Sequence, residues 1–248
     1  MTTITPRRIL APLLLLLWTG LVDAAEPTKQ PRQRRQNPTL APITDIAGLP
    51  RVLLIGDSIS IGYTLATREL LTGKANVHRI PTNGGPTTRG LDQLEAWLGD
   101  QEWDVIHFNW GLHDLKHVDD RGSLTDVAKG PVQVPLDAYR KNLETLTRRL
   151  KATGAELIWC STTPIPQGAK GRVPGDEVRY NSTALGVMES EGVAVDDLYA
   201  FALPQMAKIG KPADVHFTPA GSQVLATQVA GSIETALKNR RTASAAGR

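Results

Sequence analysis

The chain has one cysteine, Cys160, in 248 residues. A lone thiol excludes an internal disulfide, so the fold must stand on its apolar core. Cys160 ends the run Leu157-Ile-Trp-Cys160 and reads as a small buried hydrophobe rather than a catalytic thiol. After residue 24 no stretch approaches the roughly 18 apolar residues that a membrane helix needs, so the mature chain is expected to be soluble. Internal repeats and nucleic-acid-binding motifs are also missing.

Neither sign of charge dominates: the net value is +3. It is unevenly placed. Residues 25–47 set Lys29, Arg32, Arg34 and Arg35 against Glu26 and Asp45, and the end adds Arg241 and Arg248. Between them, Gly48 to Arg240 holds 20 lysines and arginines against 22 acids, a net of −2. The basic balance belongs to the ends, which read as solvated tails and not as a nucleic-acid surface.

What is present begins with a processing signal. Arg7 and Arg8 precede an apolar stretch, Ile9 to Val22, with five consecutive leucines and an internal Pro12. About 14 apolar residues are too few to span a bilayer, so residues 1–24 read as a secretory signal cleaved after Ala24, giving a periplasmic or secreted protein without stable membrane insertion. Residues 25–47, rich in Pro, Gln and Arg, read as a disordered basic linker, and 241–248 as a disordered tail.

The domain, 48–240, alternates strand and helix signals. Short apolar runs at Val52–Ile55, Asn76–Ile80, Asp104–Asn109, Glu156–Ser161 and Val193–Val195 predict strands. Apolar residues at three-to-four spacing predict helices over Ile59–Leu71, around Leu91–Leu98, over Pro135–Thr153 and over Asp176–Glu191. Thr218-Pro219 opens a last helix to about Lys238. Five such alternations predict an α/β fold: a flavodoxin-like three-layer α/β/α sandwich with a parallel sheet of about five strands. Ligands then bind off the carboxyl ends of the strands, where residues 56–60, 81–88, 110–120 and 162–175 fall.

Gly56-Asp57-Ser58-Ile59, Gly84-Gly85, Gly111-Leu-His113-Asp114 and Asp214-Val-His216 follow one another in the order of the four blocks of the SGNH (GDSL-type) hydrolases, which the chain resembles over roughly residues 51–238. The resemblance implies a carboxylic ester hydrolase with a serine nucleophile and no cofactor or metal. Ser58 fits the nucleophile on its own chemistry: between strand and helix its hydroxyl is exposed, and its N–H lies at a helix start where it can meet an oxyanion. The bland alternative is a helix cap. His216, in a loop before a capped helix and preceded by an acid, fits the general base.

Two positions depart from the family pattern. The family's acid stands three residues before the histidine, where this chain has Ala213; Asp214, two before, can share a side with His216 in an extended segment, or a Ser–His dyad operates. The third block has His113 where the family has asparagine, and a ring N–H can donate in its place. The resemblance thus gives an oxyanion hole of Ser58, Gly85 and His113, with Gly84, Asn83 and Asn109 as neighbours.

The expected function is an exported serine esterase for small acyl, above all acetyl, esters. Carbohydrate is the favoured alcohol; Trp110 reads first as a packing residue, with a sugar-stacking platform as the alternative. Two alternatives stand beside it. His113, Asp114 and His117, with Asp119 and Asp120, supply ligand types for a metal-dependent hydrolase. A non-catalytic glycan-binding protein could keep the same fold. The partner is a small-molecule or glycan ester, and the sequence leaves the oligomeric state open.

Overall fold

Val52, Leu53, Leu54 and Ile55 are consecutive and all buried. A strand apolar on both sides needs strands beside it and helices over both faces. The computed structural model, which describes Met1 and residues 37–246 with side chains to Thr242, supplies both. Strand β1 (Arg51–Ile55) pairs with β2 (Asn76–Arg79) on one side and β3 (Val105–Phe108) on the other; β4 (Glu156–Cys160) and β5 (Ala194–Asp196) follow. All pairs are parallel, in the order β2-β1-β3-β4-β5. Register is fixed through the centre: Leu53 lies opposite both His78 and Ile106.

Seven helices are described: α1 (Ser58–Leu70), α2 (Thr87–Leu98), α3 (Leu136–Lys151), α4 (Asp176–Glu191), α5 (Leu198–Ala202), α6 (Met206–Ile209) and α7 (Pro219–Ala246). α1 and α7 pack together over one face, and α2, α3 and α4 lie side by side over the other. This is the expected three-layer α/β/α arrangement. The chain turns in opposite directions from β1 and β3, which opens a crevice beyond their carboxyl ends.

Trp110 packs in the core and offers no sugar platform: it is 1% exposed, its ring 5.9 Å from that of Phe108 and pressed against Gly90 of α2. Its position just past a buried strand sends it inward with the strand's own side chains. At the opposite side, His107 Nε2 lies 2.9 Å from Asp196 Oδ2, and Gln228 donates to Asp196 Oδ1 at 2.9 Å. A buried carboxylate is thereby satisfied from both sides, and β3, β5 and α7 are joined. Cys160 is buried beside this group, as its sequence setting implied.

Both ends of the domain extend beyond their expected limits. Residues 37–47, assigned to the linker, are tied to the sheet. Asn76 exchanges hydrogen bonds with the Ile46 backbone at 2.9 and 3.0 Å, and Asp45 meets both Arg51 (2.8 Å) and His78 (2.5 Å). Polar contacts hold a segment in which no apolar side chain is fully buried. α7 runs on to Ala246, through residues expected in the tail; no glycine or proline intervenes before Gly247. Residues 1–24, expected as a signal, and 25–36, expected as linker, lie outside the described residues apart from Met1. No described helix is long and apolar enough to cross a membrane.

The contact between α2 and β3 is tight enough to test. A Cβ on Gly90 would sit 2.7 Å from Trp110 Cζ2 and 3.2 Å from Leu146 Cδ1. Gly90→Ala should therefore lower stability by about 1–3 kcal/mol, against its gain in helix propensity. Urea unfolding reads this directly; an unchanged midpoint would mean that the indole has room to move.

Candidate active site

Asp57 is extended (φ −90°, ψ −151°) and its carboxylate accepts the Ile59 N–H at 2.9 Å, so it caps α1. Capping falls to Asp57, which leaves Ser58 as the first residue of the helix, with an N–H that the first turn does not pair. Ser58 Oγ lies 2.9 Å from His216 Nε2. His216 Nδ1 lies 2.6 Å from Asp214 Oδ1, and Asp214 is the acceptor because a carboxylate has no proton to give. The neutral ring thus carries its proton on Nδ1 and turns the Nε2 lone pair toward the Ser58 hydroxyl. Burial pushes the Asp214 carboxyl upward, but its hydrogen bonds to the His216 ring and backbone outweigh this and hold it below the ordinary carboxylate range.

Asp214 reaches the ring by a different route from the extended one expected. Its Oδ1 also accepts the His216 backbone N–H at 3.1 Å, which makes an Asx turn. Ala213, just before it, has φ 53°, a left-handed conformation rare for a residue with a Cβ. A turn, not a strand, brings the acid under the base.

The nucleophile turn is itself held from below. Arg79, at the end of β2, is buried, and its Nη2 donates to Gly56 O (3.0 Å) and Asp57 O (2.9 Å) while Nη1 donates to Thr82 O (3.2 Å). Burial pulls the guanidinium down to about 10, so it stays charged at neutral pH. One side chain therefore fastens the first loop to the second. Nothing in the sequence pattern singled it out, because an arginine at a strand end is usually solvated.

The oxyanion donors come out unevenly. Gly85 N–H, expected to be free, donates to Asn83 Oδ1 at 2.9 Å, and Gly84 N–H to Gly56 O at 2.9 Å. The Asn83–Gly85 contact is again an Asx turn, and its geometry takes the glycine's donor. It also leaves the Asn83 NH2 as a free donor of that loop among the described residues. Asn109 is not free: its amide donates to Cys160 O at 2.7 Å. His113 is half-buried and makes no hydrogen bond among the described residues. Burial holds its ring below the ordinary histidine value; Asp57 opposes this, while Lys116, Arg172 and His216 add to it. A neutral ring with one free N–H results.

The three metal-type residues of the third block diverge. Asp114 turns into the core, where Oδ1 accepts both the N–H (2.8 Å) and hydroxyl (2.5 Å) of Thr87; His117 Nδ1 meets Gly130 O at 2.7 Å. These directions correct the metal alternative: His113, Asp114 and His117 do not face a common point. Asp114 instead ties the third block to the start of α2.

That carboxyl carries a pH signature. Burial pushes Asp114 up to about 7, against the Thr87 hydrogen bonds, and its Oδ2 has no partner. An acid whose folded pKa lies above its unfolded value of about 4 contributes fully below that value and loses the contribution as pH rises through the folded one. Wild type should therefore lose stability relative to Asp114→Asn between about pH 4 and pH 7, with the gap constant above. Thermal melts across that range test this; parallel profiles would show Asp114 ionised throughout.

No family model and no curated protein matches the sequence. Solved structures do. An acetyl xylan esterase superposes with TM-score 0.60 at 17% identity, covering 74% of this chain and 99% of its own. An acetylxylan esterase from Geobacillus stearothermophilus gives 0.60 at 19% identity, with 74% and 94% covered. A GDSL-like lipase from Bacteroides thetaiotaomicron gives 0.59 at 15% identity, with 80% and 94% covered. At such identities the likeness speaks to architecture, and the architecture of this chain is the SGNH (GDSL-type) hydrolase fold.

Proposed function

We propose that this chain is an exported serine esterase that removes small acyl groups, acetyl above all, from carbohydrate. The observation that carries the reading is the hydrogen-bonded relay Ser58–His216–Asp214, assembled from residues 158 positions apart. Ser58 Oγ attacks the ester carbonyl while His216 Nε2 takes its proton, and Asp214 stabilises the imidazolium that forms. The carbonyl electrons move onto oxygen, where the Ser58 N–H and His113 ring N–H donate, together with the Asn83–Gly85 loop. Collapse of the intermediate expels the alcohol, which receives the proton from His216. Water then attacks the acyl-serine and gives a proton to the same nitrogen; collapse breaks the acyl–Oγ bond, the acid leaves, and His216 returns the proton to Ser58 Oγ.

One comparison favours a short acyl group on a sugar. Two of the similar structures bear the names of acetylxylan esterases, which supports an acetylated glycan as the alcohol side.

Purified wild type should hydrolyse 4-nitrophenyl acetate faster than its long-chain analogues, and EDTA should make no difference. Ser58→Ala should abolish turnover; activity that survives it would end the serine mechanism. Asp214→Asn should lower kcat by about 10²–10⁴-fold, whereas a dyad would lose far less. At the variant third block, His113→Ala should cost about 10²–10³-fold in kcat, and His113→Asn should recover most of it. Equal losses in both substitutions would show that His113 does more than donate one hydrogen bond.

A further inference from the structure

Loop 162–175, after β4, is built into the wall of the candidate site. Gly168 passes so near the acid's turn that a Cβ on it would lie 3.0 Å from the Ala213 Cβ. On the other side, Arg172 Nε donates to Leu112 O at 3.0 Å, and His117 N–H donates to Gly171 O at 2.8 Å. The loop thus bridges the turn of Asp214 and the third block, and it sets Arg172 between them.

Arg172 is half-buried, and so is Lys116, yet neither forms an ion pair among the described residues. The carboxylates around them are committed elsewhere: Asp57 to the cap of α1, Asp114 to Thr87 and Asp214 to His216. Lys211, on the turn of Asp214, and Arg89, beside Gly85, are exposed and also unpaired among the described residues. Arg172 and Lys116 thus stand unpaired beside the third block, in a domain that is net negative between Gly48 and Arg240. Taking a cation partly out of water is unfavourable, and burial holds Arg172 and Lys116 below their ordinary values, with Asp57 and Asp214 opposing this at Arg172 without contact.

We propose that Arg172 and Lys116 form a subsite for an anionic group on the substrate, so that the ester is carried by an acidic glycan, with a uronate carboxylate or a sulfate beside the acylated sugar. The inference rests on the esterase reading for its chemistry. The planar guanidinium suits either anion, since both offer paired oxygens. It acts on binding: the anion is held before and during acyl transfer, so its loss appears in KM.

The test compares three glycans: O-acetylated polygalacturonate, O-acetylated dextran sulfate and neutral O-acetylated glucomannan. Wild type should show a KM at least about tenfold lower for one or both anionic glycans than for the neutral one, and about 0.5 M NaCl should narrow the gap. Which polymer responds separates carboxylate from sulfate. Arg172→Gln with Lys116→Gln should raise KM for the anionic glycan about tenfold and bring it to that of the neutral one. Lys141→Gln, a remote exposed cation on α3, should not. Equal, salt-independent KM values in wild type would overturn the subsite, as would an equal shift from Lys141→Gln. Failure of the esterase reading shows separately, in 4-nitrophenyl acetate hydrolysis that is absent or survives Ser58→Ala. Calorimetry of the Ser58→Ala chain with de-esterified oligogalacturonate and with dextran sulfate then decides the subsite without turnover; silence toward both would overturn it.

Discussion

The carbonyls of Gly56 and Asp57 converge on the buried guanidinium of Arg79. Much of the candidate site follows from that convergence. β1 must stop and turn at once for Ser58 to open α1, and the carbonyls of that turn, which accept the Gly84 and Ile61 N–H groups, each keep a second acceptor position. Water cannot reach them under the second loop. Arg79 satisfies them and, through Thr82 O, anchors that loop with the same group. A charged donor without a carboxylate in contact is the strong form of a hydrogen bond, and it suits a turn that must not relax.

Around this fixed point the other contacts are local. Asp57 sets where the helix begins, Asp214 sets the tautomer of His216, and Asp114 fastens the third block to α2. Each is a carboxylate or carboxyl whose accepted hydrogen bonds come from a single neighbouring residue. His113 differs from them, because the family's asparagine presents its amide donors whatever the pH. A ring in its place stays a single donor while it is neutral, and the surrounding burial and cations keep it so.

Much of the architecture was legible in the sequence, because strands buried on both faces write themselves as unbroken apolar runs. Asp176–Glu191 was legible to the residue. The short helices α5 and α6 were not, since five and four residues cannot display a helical period. Within the site, Ser58, His216 and Asp214 stood out by residue type and order, and they do meet. What the sequence hid was direction. It marked Trp110 and Gly85 by their neighbours, but one ring turned inward and one N–H turned to Asn83. Arg79 and Arg172 were hidden for the same reason, since an arginine's reach is decided by what packs around its stem.

The turn at Ala213 has a meaning beyond this one contact. Where a strand carries an acid and its histidine, their spacing is locked to the pleat. An Asx turn releases that lock: the carboxylate meets both the backbone and the ring of a residue two places on, provided that the residue before it can bend left-handed. The distance along the chain between acid and base then becomes a property of the loop instead of the chemistry. A catalytic pair can in this way shift by one residue while the atoms that exchange the proton stay where they were.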